Sequence, residues 1–435
     1  MQRRTTRPRL VQAMIDALSL PDLRKRILFT LGILVVFRFL ANVPLPGVDR
    51  AALAAFFTDP LLLFGMLDLF SGGAIQGFSI IAAGIFPYIT SSIIMQLLTP
   101  VVPRLQAIAQ EGEGGRQRIN RITHLLTVPL AAIQGYGLIT ILSAQGITLE
   151  LQALDVVGIV ITMVAGTMLL VWLGELITER GIGNGISIII FGGIVAGLPG
   201  IVGRGVVAAV GGQVGGLVSF GILALATLVL IVIFVEAHRR VPVQYAKSTF
   251  RSGRMYRQSG STYVPLRVNT AGMIPIIFAI ALMQLPATIS TFFMGPEAAP
   301  NFWNTVFNTF QADRPIYQVA YFALVVGFAF FYTMVIFEQM NLPNTLQQQG
   351  GFIPGVRPGK ATADYLNRVI RRITFGGALF LALVAVMPFI AEKIAPVPGL
   401  LVQSTAMLIA VGVSLDTMKQ LEAQLTMRRY EGFLK

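Results

Sequence analysis

The chain has 435 residues, of which 54% are hydrophobic and only 12% charged, and its mean hydropathy is +0.73. Soluble proteins carry roughly 25% charged residues, so this composition excludes an ordinary soluble domain and indicates an integral membrane protein. The absence of cysteine excludes disulfide bonds and thiolate metal sites. The formal net charge of +13 is unevenly distributed along the chain.

Ten apolar segments approach the length of about 20 residues that a helix needs to cross a bilayer. They are residues 27–42, 78–98, 122–142, 156–174, 182–199, 217–235, 271–293, 317–337, 373–390 and 399–416. The alternating ten-residue strands of a membrane barrel are not seen. The sequence therefore predicts an all-α membrane protein with ten transmembrane helices.

The basic residues predict the orientation of these spans. If the spans alternate from a cytosolic N-terminus, all but five of the 33 lysines and arginines fall in cytosolic segments or tails. The exceptions are Arg38, Arg50, Arg204, Arg314 and Lys393. Lysine and arginine accumulate on the cytosolic side, so both termini are expected in the cytosol. No cleavage-like site follows the first apolar segment, which we interpret as a span and not a signal peptide.

This topology divides the chain into four parts. Residues 1–26 and 417–435 are predicted cytosolic ends. Residues 27–200 form a first half with spans one to five, and residues 201–416 form a second half with spans six to ten. AGIFPYI (83–89) in the second span and AGMIPII (271–277) in the seventh share their alanine, glycine, proline and last isoleucine. Halves with an odd number of spans must be inverted, and inverted repeats mark transport pathways.

Two predicted cytosolic loops, residues 236–270 and 338–372, exceed the length that a simple connection needs. The first alternates charged residues with Val, Tyr and Thr, which predicts a hairpin. In the second, Pro354-Gly355 and Pro358-Gly359 predict tight turns on either side of Arg357. A guanidinium held outward in this way suits docking of an acidic protein or of RNA phosphate. Attraction to lipid headgroups is the simpler alternative.

No predicted span carries at its centre the kind of carboxylate that an ion-coupled carrier uses, because Glu175, Glu236, Glu338 and Asp416 all lie near span ends. Isoleucines recur at helical spacing instead: Ile85 and Ile89, Ile186 and Ile190, Ile274 and Ile277, and Ile409. This side chain is stiff in a helix, and a ring of such residues closes a pore by excluding water. The alternative is that these isoleucines face lipid or neighbouring helices.

The segment FGMLDLFSGGAIQG (64–77) is apolar but too short and too interrupted to cross a bilayer. Its glycines allow a hinge, and its leucines and phenylalanines provide an apolar surface. A surface-lying amphipathic helix is the alternative. Enzymatic motifs are not evident: GVRPGK (355–360) departs from a phosphate-binding loop, and GIGNGI (181–186) lacks the GxGxxG spacing. We therefore expect no enzymatic activity, cofactor or metal.

Several long motifs resemble the SecY/Sec61-alpha family, the channel subunits of Sec protein translocons. They are GIFPYITSSIIMQLLTP (84–100), EGEGGRQRI (111–119), TERGIGNGISIIIFGGIVAGLP (178–199), VNTAGMIPIIFA (268–279) and GGFIPGVRPGKATADYL (350–366). The resemblance runs from about residue 15 to about residue 430 and keeps all ten spans in order.

The resemblance implies ten helices in two inverted five-helix halves, with a short re-entrant plug helix at about residues 61–75. The pore ring that it implies consists of Ile85, Ile89, Ile186, Ile190, Ile277 and Ile409. The implied plug residues are Phe64, Leu67, Asp68, Leu69, Phe70, Gly72 and Gly73. The implied lateral gate includes Thr90, Gln134 and Leu285.

The resemblance also implies partners: the subunits SecE and SecG, the motor ATPase SecA, the ribosome, polypeptides with signal sequences, and the lipids of a bacterial plasma membrane. The loop residues expected to dock the motor or the ribosome are Lys247, Arg251, Arg254, Arg357 and Lys360. The expected function is a channel that moves unfolded polypeptides across the membrane and releases hydrophobic segments laterally between the second and seventh spans. The alternatives are a secondary transporter of a small solute and a membrane scaffold.

Overall fold

The computed structural model describes residues 20–49, 52–53, 71–144, 146–147, 152–251, 254–291, 293, 302–311, 314–394 and 404–431. Within these ranges the first group of helices is α1 (Pro21–Ala41), α2 (Phe86–Val101), α3 (Pro103–Gln110), α4 (Glu113–Ala144), α5 (Ala153–Arg180), α6 (Gly185–Val210) and α7 (Val214–Glu236). There follow β1 (His238–Arg251), β2 (Arg254–Arg267), α8 (Ile274–Thr291), α9 (Phe302–Thr309), α10 (Pro315–Met340), α11 (Leu342–Gln348), β3 (Gly351–Phe352), α12 (Lys360–Ile394) and α13 (Ser404–Glu431).

Each of the ten predicted apolar segments overlaps one of these helices within the described residues. Within the described part of the chain, six helices are long and apolar enough to cross a membrane: α4, α5, α6, α7, α10 and α12. The pair α2–α3, bent by 97° at Val102, would make a seventh, and the apolar part of α8 is shorter. Helices α1 and α13 combine an apolar segment with a charged end. The count of ten membrane crossings stays a prediction.

The helix packing divides the bundle into two equivalent groups of five. The first group is α1, α2, α4, α5 and α6, and the second is α7, α8, α10, α12 and α13. In each group the first helix packs on the fourth and fifth helices, and the second helix packs on the third and fourth. The fourth helix also packs on the third and fifth. The groups meet where α6 packs on α7 and α13, and where α8 packs on α2 and α4. The boundaries of the two predicted halves and their inversion in the membrane stay a prediction.

The repeated AGxxPxI motif starts the equivalent helices α2 and α8. Gly84 and Gly272 precede these helices with φ of 60° and 64°, a left-handed conformation that glycine adopts readily. Proline follows in the first turn of each helix, where its missing N–H leaves no helical hydrogen bond unmade. The predicted second span was therefore placed too early: residues 78–85 form turns, and the helix begins at Phe86.

The chain is mostly helical, and the named strands of its described part all lie in the two predicted cytosolic loops. Strands β1 and β2 form the predicted antiparallel hairpin, which runs from the pair His238–Arg267 to the pair Arg251–Arg254. Strand β3 of the second loop pairs with β1 at Gln244–Phe352 and Tyr245–Gly351, which completes a three-stranded sheet. We call the side of the bundle that carries this sheet the hairpin end.

The base of the hairpin has its own hydrophobic core. Val241 and Val243 are buried and lie two residues apart, so their side chains share one face of β1. They belong to one cluster with side chains from α10, α11, α12 and the second loop: Phe337, Leu346, Ile353, Leu366 and Val369. The sheet is thus packed onto the bundle and does not hang from it as a free loop.

Candidate functional site

The six isoleucines of the predicted ring belong to one large hydrophobic cluster or pack against it, together with many other apolar side chains, although they come from four separate helices. Ile85 caps α2, Ile277 lies on α8 and Ile409 on α13; all three are at most 6% exposed. On α6, Ile190 is buried, and Ile186 is half-buried against the same cluster, as are Ile89 and Ile274. The cluster therefore joins the two five-helix groups at their interface.

These isoleucines present only methyl and methylene groups. Such a lining offers no ligand for an ion and no hydrogen bond for a solute, but it excludes water well. Because each side chain is branched at Cβ, its rotamer is restricted in a helix and the lining is stiff. The arrangement suits a constriction that closes a pore and opens when a polypeptide passes through it. That the six side chains surround a passage stays a prediction.

Of the seven named plug residues, the structure describes only the two glycines. Phe64, Leu67, Asp68, Leu69 and Phe70 lie outside the described residues.

Gly72 is enclosed by helices α1 and α6. A Cβ added to it would lie 2.8 Å from Cζ of Phe37 and 2.9 Å from Cα of Gly193, and its φ is 70°. The guanidinium of Arg38 donates a hydrogen bond of 2.8 Å to the carbonyl oxygen of Gly72. Gly73 also has positive φ but has more space around it. The predicted hinge thus has one glycine held in place and one with room to move.

The predicted lateral gate residues lie on the three helices that meet along one seam between the groups. Thr90 of α2 is buried and donates a 3.0 Å hydrogen bond to the carbonyl of Phe86 in its own helix. Gln134 of α4 is half-buried, and Leu285 of α8 is 46% exposed. Helix α8 packs on both α2 and α4, so an opening between them would separate these residues.

Arg357 is exposed between the two predicted turns, both of which form. In the first turn, the N–H of Val356 donates to the carbonyl of Ile353 at 3.0 Å. After the second, Thr362 Oγ1 donates to the carbonyl of Arg357 at 2.9 Å. Lys360 is exposed at the start of α12. The backbone of this loop is therefore fixed while its basic side chains face outward.

Of the other predicted docking residues, Lys247 and Arg251 lie on β1, and Arg254 lies on β2. The pairing of β1 with β3 joins the strand that carries Lys247 and Arg251 to the loop that carries Arg357. Sequence reasoning treated the two loops separately and missed this union. The alternation of Val241 and Val243 indicated a buried face, but no local signal identified β3 as its neighbour.

A polar cluster between α2, α4 and α5 was also missed. His124 Nε2 lies 3.0 Å from Glu175 Oε1, and Asn120 Nδ2 donates to the same oxygen at 3.1 Å. The ring of Tyr88 lies 5.7 Å from that of His124. Asn120 and His124 are four residues apart and so share a helix face, which was the available signal. The cluster ties α4 to α5 beside the lateral seam.

Two further ion pairs lie at the hairpin end. Arg267 Nη1, at the end of β2, is 3.5 Å from Asp416 Oδ1 of α13. Lys419 Nζ of the same helix is 2.6 Å from Glu236 Oε1 at the end of α7. Helix α13 therefore contacts the last residue of the hairpin and the last residue of the helix before it, and it also carries Ile409. Within the described part of the chain, no group of His, Asp or Glu side chains is arranged to hold a metal ion.

Comparisons with known proteins agree with this architecture. A family model described as SecY matches residues 79–418. The chain is 43% identical to a protein translocase subunit SecY of Streptomyces scabiei, over 98% of this chain and all of that protein. It is 44% identical to its counterpart in Halalkalibacterium halodurans, over 95% of this chain and 97% of that protein.

Solved structures share the fold at low sequence identity. A structure described as a protein conducting channel superposes with a TM-score of 0.65 at 18% identity and covers 92% of both chains. Sec61 in the canine ribosome-channel complex from the endoplasmic reticulum superposes with a TM-score of 0.62 at 18% identity and the same coverage. On the family model and on relatives that match almost along its whole length, the chain belongs to the SecY family.

Proposed function

We propose that this chain is the central subunit of a protein-conducting channel, which passes unfolded polypeptides across the membrane. The observation that carries the proposal is the isoleucine cluster, because it lies where the two five-helix groups meet and is contributed by both. The relatives at 43–44% identity are named as protein translocase subunits. A polypeptide would pass between the groups, and the isoleucines would close around it or against one another.

Hydrophobic segments would leave this path sideways, between α2 and α4 on one side and α8 on the other. Apolar helices partition into lipid, so a seam that opens transiently sorts segments by their hydrophobicity. Thr90, Gln134 and Leu285 lie on the helices of this seam. The residues around 61–75 would form a plug that rests on the isoleucine cluster while no polypeptide is present.

The distribution of basic residues supports a cytosolic hairpin end and cytosolic termini for a chain with ten spans in two inverted halves. The exposed basic loops there would dock a ribosome or the SecA motor, and SecE and SecG would complete the complex in a bacterial plasma membrane. Two solved structures of similar fold are Sec61 or Ssh1 channels with ribosomes. The chain itself would supply no chemistry; the motor or the ribosome would supply the energy.

The transporter alternative gains no support from the site. Ion-coupled carriers use titratable groups at the centre of the membrane, whereas the two groups meet through a hydrophobic cluster to which the isoleucines contribute. None of the relatives above is named as a solute carrier.

Reconstitution tests the proposal. The chain would be placed in liposomes with its partner subunits and supplied with SecA, ATP and a polypeptide that bears a signal sequence. We expect the polypeptide to become resistant to external protease only when ATP is present. Gradient-driven uptake of a small solute without polypeptide import would contradict the proposal.

A further inference from the structure

A cavity of 340 Å³ lies at the hairpin end beside the isoleucine cluster. Three of the regions that carry cluster isoleucines contribute to its lining: Ser187 of α6, Met273 immediately before α8, and Val413 of α13. Ser187 follows Ile186 in the chain, and Val413 belongs to the cluster itself. On the proposed path from the hairpin end to the isoleucines, a polypeptide would pass this cavity, which we call the vestibule.

The charges of the vestibule occur in pairs. Among the described residues that line it, the charged ones are Arg267, Asp416 and Lys419. Arg267 is paired with Asp416 at 3.5 Å, and Lys419 with Glu236 at 2.6 Å. Within the two pairs the charges balance, although Glu236 is not itself part of the lining. The remaining polar lining is neutral: Asn184, Ser187, Thr417 and Gln420.

A contribution to folding stability does not explain the two ion pairs well. The four side chains are 40–63% exposed, and exposed ion pairs contribute little to the free energy of folding. Their effect on electrostatic potential is more direct, because side chains of one sign around a pore select against permeants of that sign. An unpaired cation here would oppose lysine and arginine segments, and an unpaired anion would oppose aspartate and glutamate segments.

We propose that Arg267 and Asp416 keep the channel from selecting polypeptide segments by charge. Because they neutralise each other at the mouth of the pore, segments of either sign can pass. This inference rests on the proposed function. It predicts that removing either partner makes the channel selective, and that the two substitutions act in opposite directions. A pair that only held the hairpin to α13 would give the same defect whichever partner was removed.

The test uses the reconstituted complex, SecA and three polypeptides that differ only in one internal run of lysine, glutamate or glutamine. Transit times are measured without a membrane potential and divided by the time for the glutamine run. Asp416→Asn should slow the lysine run by about two- to fivefold and leave the glutamate run unslowed. Arg267→Gln should slow the glutamate run by a similar factor instead.

The double variant Arg267→Gln/Asp416→Asn should return both ratios towards wild type, and high salt should weaken each single effect by screening. Lys393→Gln, at the far end of α12, removes a charge outside the vestibule and serves as the matched control. Equal slowing of both runs, a double variant worse than either single one, or unchanged ratios would overturn the inference. A wild-type complex that imports none of the three polypeptides would instead overturn the proposed function, and this inference with it.

Discussion

Isoleucine combines a large apolar surface with a restricted side chain, and both properties matter where the two helix groups meet. Ile85, Ile190 and Ile409 are almost fully buried although they come from three separate helices. Burial of one such side chain stabilises the closed arrangement by about 1.5–3 kcal/mol. No covalent or ionic contact among the six would have to break when a polypeptide displaces them.

Replacing Ile89 and Ile277 together with serine should make the resting channel leak ions. The substitutions remove apolar surface and add hydroxyl groups that stabilise water inside the constriction. Single-channel recordings in planar bilayers measure the effect, with Leu225→Ser on the exposed face of α7 as control. Resting conductance equal to that of wild type would show that these isoleucines do not close a pore.

Substitutions at Gly72 and Gly112 distinguish the cost of crowding from the cost of a left-handed backbone. Both have positive φ, 70° and 80°, but a Cβ at Gly112 meets no atom within 4 Å, whereas one at Gly72 would collide with Phe37 and Gly193. Gly112→Ala should cost about 1 kcal/mol from its left-handed backbone alone. Gly72→Ala should cost more and should also disturb the hydrogen bond from Arg38.

Thermal unfolding of the two variants in the same detergent compares these costs. We expect the lower midpoint for Gly72→Ala. Equal midpoints would indicate that the enclosure of Gly72 between α1 and α6 is loose.

At the scale of elements, the sheet at the hairpin end converts two long loops into one surface. Its base is held by a hydrophobic core, and hydrogen bonds fix the backbone of the turns around Arg357. Interior and surface positions of this element should therefore respond differently to substitution.

Arg357→Glu should weaken binding of SecA and of ribosomes without lowering the thermal stability of the chain. The side chain is exposed, and reversing an exposed charge at a docking surface mainly slows association. Arg204→Glu is the matched control, since Arg204 is also exposed but lies on α6 beyond the predicted span. Flotation of vesicles with each partner measures binding; normal binding by the Arg357 variant would remove this residue from the docking surface.

Val243→Ala should loosen the hairpin from the bundle. The valine is fully buried in the core at the hairpin base, and the lost methyl groups should cost roughly 1.5–3 kcal/mol locally. Faster limited proteolysis within residues 238–267 would report the loosening. Thr262→Ala, on the paired strand but exposed, should leave the cleavage rate unchanged. Equal rates for the valine variant and wild type would contradict the packing of the sheet on α10 and α12.

At the scale of the whole molecule, the features that depend on local sequence could be predicted. Apolar segments of membrane length fall on helices because their composition alone favours that environment. The hairpin and the turns around Arg357 follow from alternation and from Pro-Gly pairs. The start of α2 at Phe86 was missed because the glycine and proline that set it lie inside an apolar run.

Contacts between distant segments could not be predicted from one sequence. The pairing of β1 with β3, the ion pair between Arg267 and Asp416, and the cluster of His124 with Glu175 join residues 51 to 149 positions apart. The sequence around each residue carries no signal that identifies its partner. Only the packing of the helices, repeated in both groups of five, brings these residues together.

The central claim is that a polypeptide passes through the isoleucine cluster, and disulfide trapping tests it most directly. The chain has no cysteine, so a single Ile409→Cys variant can be paired with one cysteine in a polypeptide stalled during import. We expect a disulfide at this position, and none for Val207→Cys, which lies on the exposed face of α6. A disulfide with Val207→Cys but not with Ile409→Cys would contradict the account.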